Sequence, residues 1–250
     1  MVGALLHGLA VLDLFSRERP VIGIAEVSRQ LGVHRSTASR LAATLAAAGY
    51  LEPAGELGRY RLAAKLSLLG EIAAAGNELR EAALPPLRDL VARLGETGHL
   101  GVLDGPEAVT VAVVDGWQTV RMHSWVGKRS PAYCSSMGKS LLAALSRDEV
   151  IARFPDPVLS ARTPNTITSR DELIRCLEEA RDHGYAVDRE ELEPHLCCVA
   201  APVHGRDGMV VASVSVSGPA SRLLDDAAIE TLAVAVQATA RQVSTRLGAP

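Results

Sequence analysis

The stretch Ile22-Gly-Ile-Ala-Glu-Val-Ser-Arg-Gln-Leu-Gly-Val-His-Arg-Ser-Thr-Ala-Ser-Arg-Leu41, running on to Gly58-Arg-Tyr-Arg-Leu62, decides how this chain is read. Val27, Leu31, Val33, Ala38 and Leu41 are apolar at the spacings by which two short helices bury a shared seam, and Ser28 is small where such helices cross closely. Gly32 stands at the tight turn between them, where a residue free to take positive φ is wanted. The second helix is predicted over roughly 35–48 and leaves Arg35, Ser36, Thr37, Ser39, Arg40 and Thr44 on its polar side. In a DNA major groove arginine grips guanine with two hydrogen bonds, whereas Ser and Thr meet phosphates or base edges with little sequence information. After Gly49-Tyr50-Leu51 the run Glu52-Pro-Ala-Gly-Glu-Leu-Gly58 breaks helix, and Arg59-Tyr-Arg-Leu62 alternates as a strand. The two make a hairpin, a wing whose Arg59 and Arg61 are available to phosphates. Amphipathic helix pairs around a glycine also occur in ordinary helical proteins, but pair, turn and basic hairpin together favour a winged helix-turn-helix.

Size and charge agree with two parts. At 250 residues, 48% of them hydrophobic, the chain is long enough for one large or two modest domains with buried cores, and no disordered class fits. The net charge of −3 is uneven: residues 1–76 hold eight Lys/Arg against six Asp/Glu, which leaves that end at +2 and the remainder at −5. That asymmetry suits a DNA-binding end beside an acidic domain, though +2 is too small to carry the argument alone. Cys134, Cys176, Cys197 and Cys198 show no CxxC spacing, and the start of the sequence has no secretion signal, so free thiols and a cytoplasmic location are expected. No apolar run reaches the roughly 18 residues of a membrane span. Aromatics at 3% are too few for the stacking platforms of a single-strand or RNA binder, leaving a double-stranded DNA operator as the expected polymer partner.

Periodicity orders the rest. Helices are predicted over 4–16, over 63–75 with a stop at Gly76-Asn77, and over 78–94, kinked or started at Pro85-Pro86. Three strands, 99–103, 108–114 and 120–126, read as an antiparallel meander between Gly/Asp/Pro turns. Helices over 138–145 and 147–154 follow, then Ser169-Arg-Asp-Glu172 as a capping box opening a helix to His183 that Gly184 stops. Strands 199–203 and 209–217 flank a turn at Gly205-Arg-Asp-Gly208, and an amphipathic helix over 225–247 closes the chain. The expected fold is α+β, with a winged helix-turn-helix over 1–62, a linker helix over 63–77 and a mixed α/β sheet domain over 78–250.

The chain resembles the isocitrate-lyase-regulator (IclR) family of bacterial transcription factors over nearly its whole length. The likeness is carried by Leu31-Gly-Val-His-Arg-Ser-Thr37 with Arg40-Leu41, Gly49-Tyr-Leu-Glu52, Gly58-Arg-Tyr-Arg-Leu62 and Met137-Gly-Lys-Ser140. It continues through Gly184-Tyr-Ala-Val-Asp-Arg-Glu-Glu191, Cys198-Val-Ala-Ala-Pro-Val203 and Ser215-Val-Ser-Gly-Pro219. The resemblance implies a winged domain that dimerises, a linker helix, and a GAF-like domain that binds a small-molecule effector, often an aromatic or short organic acid. Family members work as homodimers or homotetramers that repress, activate or do both. By position the family's effector pocket falls on Met122, Ser136, Met137, Asp188, Leu196, Cys198, Ser215 and Ser217.

That chemistry is coherent on its own terms. Ser215 and Ser217 share one side of a strand, and two inward hydroxyls are unusual unless something polar is bound; they also read as partners of neighbouring backbone. Ser136-Met-Gly-Lys139 precedes a predicted helix, whose free N–H groups suit a carboxylate. Met122, Met137 and Leu196 supply an adaptable apolar wall. Cys198 reads equally as a small buried hydrophobe, Lys139 as an anion ligand or a structural residue, and Asp188 as a ligand contact, a loop fastener or a solvated turn. Three departures stand out: His7 where the family often has Arg, Ala63 where Gly is frequent, and Ser136-Met137 in place of a smaller pair, which shrinks or reshapes the pocket.

Two other classes have some footing in the residues. An enzyme would use Cys134 or Cys198 as nucleophile with His123 or His195 as base, yet no nucleophile elbow or dinucleotide fingerprint occurs. Met137-Gly-Lys-Ser140 lacks the earlier glycine of a phosphate loop, since that position is Tyr133. A metal- or redox-responsive regulator would draw on Cys134, Cys197, Cys198, His123, His195 and Asp188, whose spacing is not diagnostic. The expectation is therefore a regulator with no catalysis, no cofactor and no metal.

Overall fold

The computed structural model describes residues 3–16, 18–55, 57–74 and 78–250. The chain divides into two units, Met1–Gly76 and Asn77–Pro250.

In the first unit the order is α1 (Gly3–Asp13), β1 (Val21–Gly23), α2 (Ile24–Leu31), α3 (Arg35–Ala47), β2 (Leu51–Pro53), β3 (Arg59–Leu62) and α4 (Ala64–Ala74). Val11, Ile22, Val27, Ala38, Ala42 and Leu51 form its buried core, with Leu31, Val33 and Leu41 packed partly buried against them. Gly32 ends α2 at φ 62°, the left-handed conformation that a side chain resists, and its N–H bonds the Ser28 carbonyl. The Ser28 hydroxyl donates to the Val33 carbonyl at 2.7 Å, so this residue fastens the turn. His34 caps α3, its ring Nδ1 accepting the Ser36 N–H at 3.3 Å. The wing is β2 and β3 paired antiparallel, with Leu51 opposite Leu62, and β1 adds a third strand in the order β1-β3-β2. The helix stop expected at Gly76-Asn77 lies outside the described residues.

The second unit runs α5 (Glu78–Leu94), β4 (Thr97–Asp104), β5 (Glu107–Val114), β6 (Arg129–Pro131), a 3-10 turn (Ala132–Cys134), α6 (Ser136–Leu142), α7 (Arg147–Arg153) and α8 (Arg170–His183). It then continues through β7 (Ala186–Arg189), β8 (Leu196–His204), β9 (Val210–Pro219), α9 (Ala220–Leu223) and α10 (Asp226–Arg246). The helix α5 begins at Glu78 and carries Pro85 and Pro86 inside it. Burial of Ala82, Ala83, Leu87 and Leu90 on either side of the prolines offsets the ladder bonds they remove. One curled antiparallel sheet takes the order β6-β5-β4-β9-β8-β7.

Strand alternation sorts the sheet into two unlike faces. Val199, Val203, Val214 and Val216 pack with Leu87 and Leu90 of α5 and Val236 and Val243 of α10 into the main core. On the other face Ala108 and Ala200 meet Met137 and Leu141 of α6, and a second cluster joins Leu142, Phe154, Leu173 and Leu177. Ser213, Ser215 and Ser217 of β9 alternate with those valines, and all three are buried.

Two expectations are corrected. Residues 120–126 form no strand; the segment between β5 and β6 is irregular, and its backbone is held by side chains instead. Thr97 Oγ1 donates to the Met122 carbonyl at 3.1 Å and an Arg222 N–H to the Val120 carbonyl at 2.7 Å, which removes the need for a strand partner. Ser169 caps α8 through its hydroxyl at 3.5 Å, whereas the reciprocal capping box stands at Ser146 and Glu149 of α7.

Candidate nucleic-acid interface and ligand cavity

Helix α3 turns Ala38 and Ala42 into the core, with Leu41 and Leu45 packed partly buried against it, and the 3.6-residue period leaves the opposite face outward. Arg35, Ser36, Arg40 and Thr44 are exposed, and Thr37 and Ser39 are half-buried. Ser36 is engaged locally, its hydroxyl 2.9 Å from His34 Nδ1. Thr37, Arg40 and Thr44 line a groove of about 530 Å³ shared with Gly3, Ala4 and His7 of α1. Both wing arginines are exposed, but Arg61 Nε bonds Glu52 Oε1 at 2.6 Å, so part of its charge is already answered.

In the second unit, seven of the eight candidate effector residues come to one cavity: Met122, Ser136, Met137, Asp188, Cys198, Ser215 and Ser217. Strand register explains the convergence, since Cys198 pairs with both Asp188 and Ser217, and Ser215 lies opposite His99. Leu196 is the correction. It is buried at the very start of β8, on the cavity's parity but beyond its edge, and Leu192 from the preceding bend supplies that wall.

The sequence reading missed His99, Thr110, Ser124, Lys128, Ser130 and Ser135, all of which line the cavity. A histidine between Gly98 and Leu100 in an apolar strand was the one available hint. Its imidazole is buried, and burial, reinforced by Lys128, lowers its pKa to about 4, so it is neutral at physiological pH. Among the described residues neither ring nitrogen of His99, nor the Ser124 hydroxyl, nor Asp188 Oδ2 has a hydrogen-bond partner, although all four atoms are buried. Unpaired buried polar atoms are rare and costly, and these four lie on one cavity.

Asp188 is fully buried rather than a solvated turn. Its Oδ1 accepts the N–H groups of Glu191 at 2.7 Å and Leu192 at 3.3 Å. Burial pushes its pKa up to about 7, against the lowering by those amide bonds. Lys139 resolves as structural: it is 1% exposed and its Nζ pairs with Glu191 Oε1. The first turn of α6 is also partly spoken for, because the Ser135 hydroxyl caps the Gly138 N–H at 3.2 Å.

The cavity measures about 30 Å³, enough for water-sized molecules. Met137 lines it. Its side chain lies so close to Gly101 that a Cβ at that position would collide with the sulfur. A larger space of about 590 Å³ lies between Leu141, Tyr185 and Met209, but its arginines are already used. Arg153 donates to the Gly105 carbonyl and Arg181 to those of Ala143 and Leu145.

Cys134, Cys197 and Cys198 are poor nucleophiles, and the last two are poorly placed to share one metal ion. Burial pushes Cys134 up to about 12, Cys197 up to about 11 and Cys198 well above its ordinary value, which keeps the thiols protonated. Cys197 packs in the main core while the adjacent Cys198 faces the cavity, so the pair diverges. His195 is exposed at the bend. Among the described residues no group of three or more His, Cys, Asp or Glu is disposed around a metal site, and no helix is long and apolar enough to cross a membrane.

Comparison with known proteins agrees with both halves. Residues 4–55 match the IclR helix-turn-helix domain and residues 72–245 the C-terminal domain of bacterial IclR transcriptional regulators. The chain is 34% identical over 244 residues to the HTH-type transcriptional regulator XynR of Escherichia coli K12, covering 98% of this chain and 96% of that protein. It is 35% identical over 247 residues to the regulator KdgR of the same organism, covering 99% and 93%. An IclR homologue of Microbacterium hydrocarbonoxydans, crystallised with 4-hydroxybenzoate, superposes with a TM-score of 0.85 at 26% identity, covering 98% of each chain. With its winged helix pair and its sheet domain each matched, this chain belongs to the IclR family of helix-turn-helix transcriptional regulators.

Proposed function

We propose that this regulator binds a near-palindromic operator and that a small organic acid in the cavity beside β9 modulates that binding. The observation that carries the effector half is the set of buried, unpartnered polar atoms of His99, Ser124 and Asp188 on one cavity. A protein tolerates such groups where a ligand completes them. The 4-hydroxybenzoate held by the Microbacterium homologue supports an organic acid as the class. Met137 argues for a smaller molecule here, or for one that swings this unbranched side chain aside.

In this reading residues 1–62 are the DNA-binding domain, 63–77 a linker helix and 78–250 the effector domain, in a cytoplasmic homodimer or homotetramer. Arg35, Ser36, Thr37, Ser39, Arg40 and Thr44 meet the major groove and Arg59 and Arg61 the flanking phosphates, with half-sites about one helical turn, roughly 34 Å, apart. Met122, Ser136, Met137, Asp188, Cys198, Ser215 and Ser217 contact the effector, with Leu192 in the place expected of Leu196.

The test is DNA-binding anisotropy on a selected genomic fragment, titrated with small carboxylates. At least one should change the affinity fivefold or more, the lower end of ordinary allosteric coupling. Ser217→Ala should blunt that response and leave effector-free DNA binding intact. An identical response in Ser217→Ala would remove this residue from the site, and no response to any acid would overturn the effector reading.

A further inference from the structure

The charges around the cavity determine which form of Asp188 can face an anion. Lys139 of α6 is committed to Glu191, and the second carboxylate oxygen of Glu191 is buried without a partner among the described residues. His99 of β4 is neutral, and the thiols of Cys134 in the 3-10 turn and of Cys197 and Cys198 on β8 stay protonated. Of the groups flanking Asp188 in sequence, Arg189 pairs with Asp226, and Glu190 accepts the His195 N–H. Among the described residues Lys128 is the cation lining the cavity, with Glu193 3.5 Å from its ammonium. The remaining polar lining consists of hydroxyls from Ser124, Ser130, Ser135, Ser136, Ser215 and Ser217, with Thr110 beside them.

We propose that Asp188 serves this cavity as a neutral carboxylic acid whose Oδ2–H donates to the carboxylate of the bound effector, so that the acid is recognised only while that proton is held. The proposal rests on the cavity being the effector site. The geometry leaves Asp188 one role for each oxygen: Oδ1 is taken by two backbone N–H groups, and Oδ2 is buried and unpartnered. Two ionised carboxylates cannot share a dry cavity, whereas an acid and a carboxylate share one proton in a strong hydrogen bond. Burial already holds the Asp188 proton up to about pH 7, so no covalent step and no added reagent is needed. With Asp188 neutral, the Lys128 ammonium, whose partner Glu193 is exposed 3.5 Å away, is the cation in reach of the anion among the described residues.

Asp188→Asn tests this in the full-length chain, because asparagine keeps the Oδ1 acceptor and places a permanent N–H where the proton would sit. Glycolate is titrated by calorimetry from pH 5.5 to 8.5, a range in which it stays ionised, with glycolamide as the neutral isostere. The wild-type affinity for glycolate should fall about tenfold per unit above roughly pH 7, whereas Asp188→Asn should show a flat profile and glycolamide should be flat in both. In parallel, the Asp188 carboxyl carbon, followed by NMR in the ligand-free wild type, should titrate near neutrality. A flat wild-type glycolate profile, or an Asp188 already ionised at pH 6, would overturn the proposal while leaving the effector site standing. Failure of glycolate, lactate and glycerate to bind either protein at any pH would overturn the effector reading and the proposal with it.

Discussion

Helix α3 and the cavity beside β9 use the same residue types for opposite ends. Along α3 the hydroxyls and guanidinium groups are exposed or half-buried, grouped within ten residues, and kept hydrated until a polymer arrives. Around the cavity the hydroxyls, a carboxylate and an imidazole are dry and drawn from chain positions 99 to 217. A solvated polar group costs the fold almost nothing, while a buried one must find a partner or destabilise the protein. The first region is therefore free to change at little cost to the fold, and in the proposed reading the second ties ligand binding to protonation and stability.

Removing charges should separate the two regions most strongly. Lys139→Met strands Glu191 in the interior and should cost about 3–5 kcal/mol in denaturant unfolding of the second unit, with Lys139→Met/Glu191→Leu recovering most of it. Arg35→Ala on exposed α3 should stay within about 0.5 kcal/mol. Equal losses at the two positions would erase the contrast.

Proton linkage sharpens it next. Burial pushes Asp188 up to about 7 from the 3.8 of a solvated aspartate, so the native state keeps a proton that the unfolded chain releases. Its contribution is fully present below about pH 4 and is lost as pH rises toward 7, at about 1.4 kcal/mol per pH unit. The difference in unfolding free energy between wild type and Asp188→Asn should carry that slope, and a difference independent of pH would mean Asp188 is ionised in the fold.

On the DNA side the effects are smaller. Arg40→Ala should lose about 1–3 kcal/mol of operator affinity if it reads guanine, with relaxed preference at one base, or weaken all DNA alike if it contacts phosphate. Unchanged operator binding would sink its assignment. Smallest is the wing, where Arg59→Ala should lower the slope of log affinity on log salt by about 0.9 and Arg61→Ala by less, because Glu52 already holds Arg61. Equal slopes for both variants would show that this ion pair opens on DNA.

How much could be read from the sequence follows the same division. Helix α3, its glycine turn and its wing are set by neighbours within a few positions, so periodicity and one positive-φ glycine locate them. Ser215 and Ser217 were legible because a strand's two-residue period is local. Lys139 was visible as part of a motif but ambiguous, since the partner that makes it structural lies 52 residues on. The failed strand over 120–126 has the same cause: the groups that satisfy its backbone are the side chains of Thr97 and Arg222, which no local pattern announces. His99 and Leu192 enter the cavity through register and a bend, both consequences of the assembled sheet.

Genomic-fragment selection with the purified chain, run beside Arg35→Ala/Arg40→Ala, tests the central claim that α3 reads an operator. The account predicts enrichment of a near-palindromic site by the wild type, steeply weakened by salt, and its loss in the double variant. Enrichment of the same fragments by both proteins would contradict it.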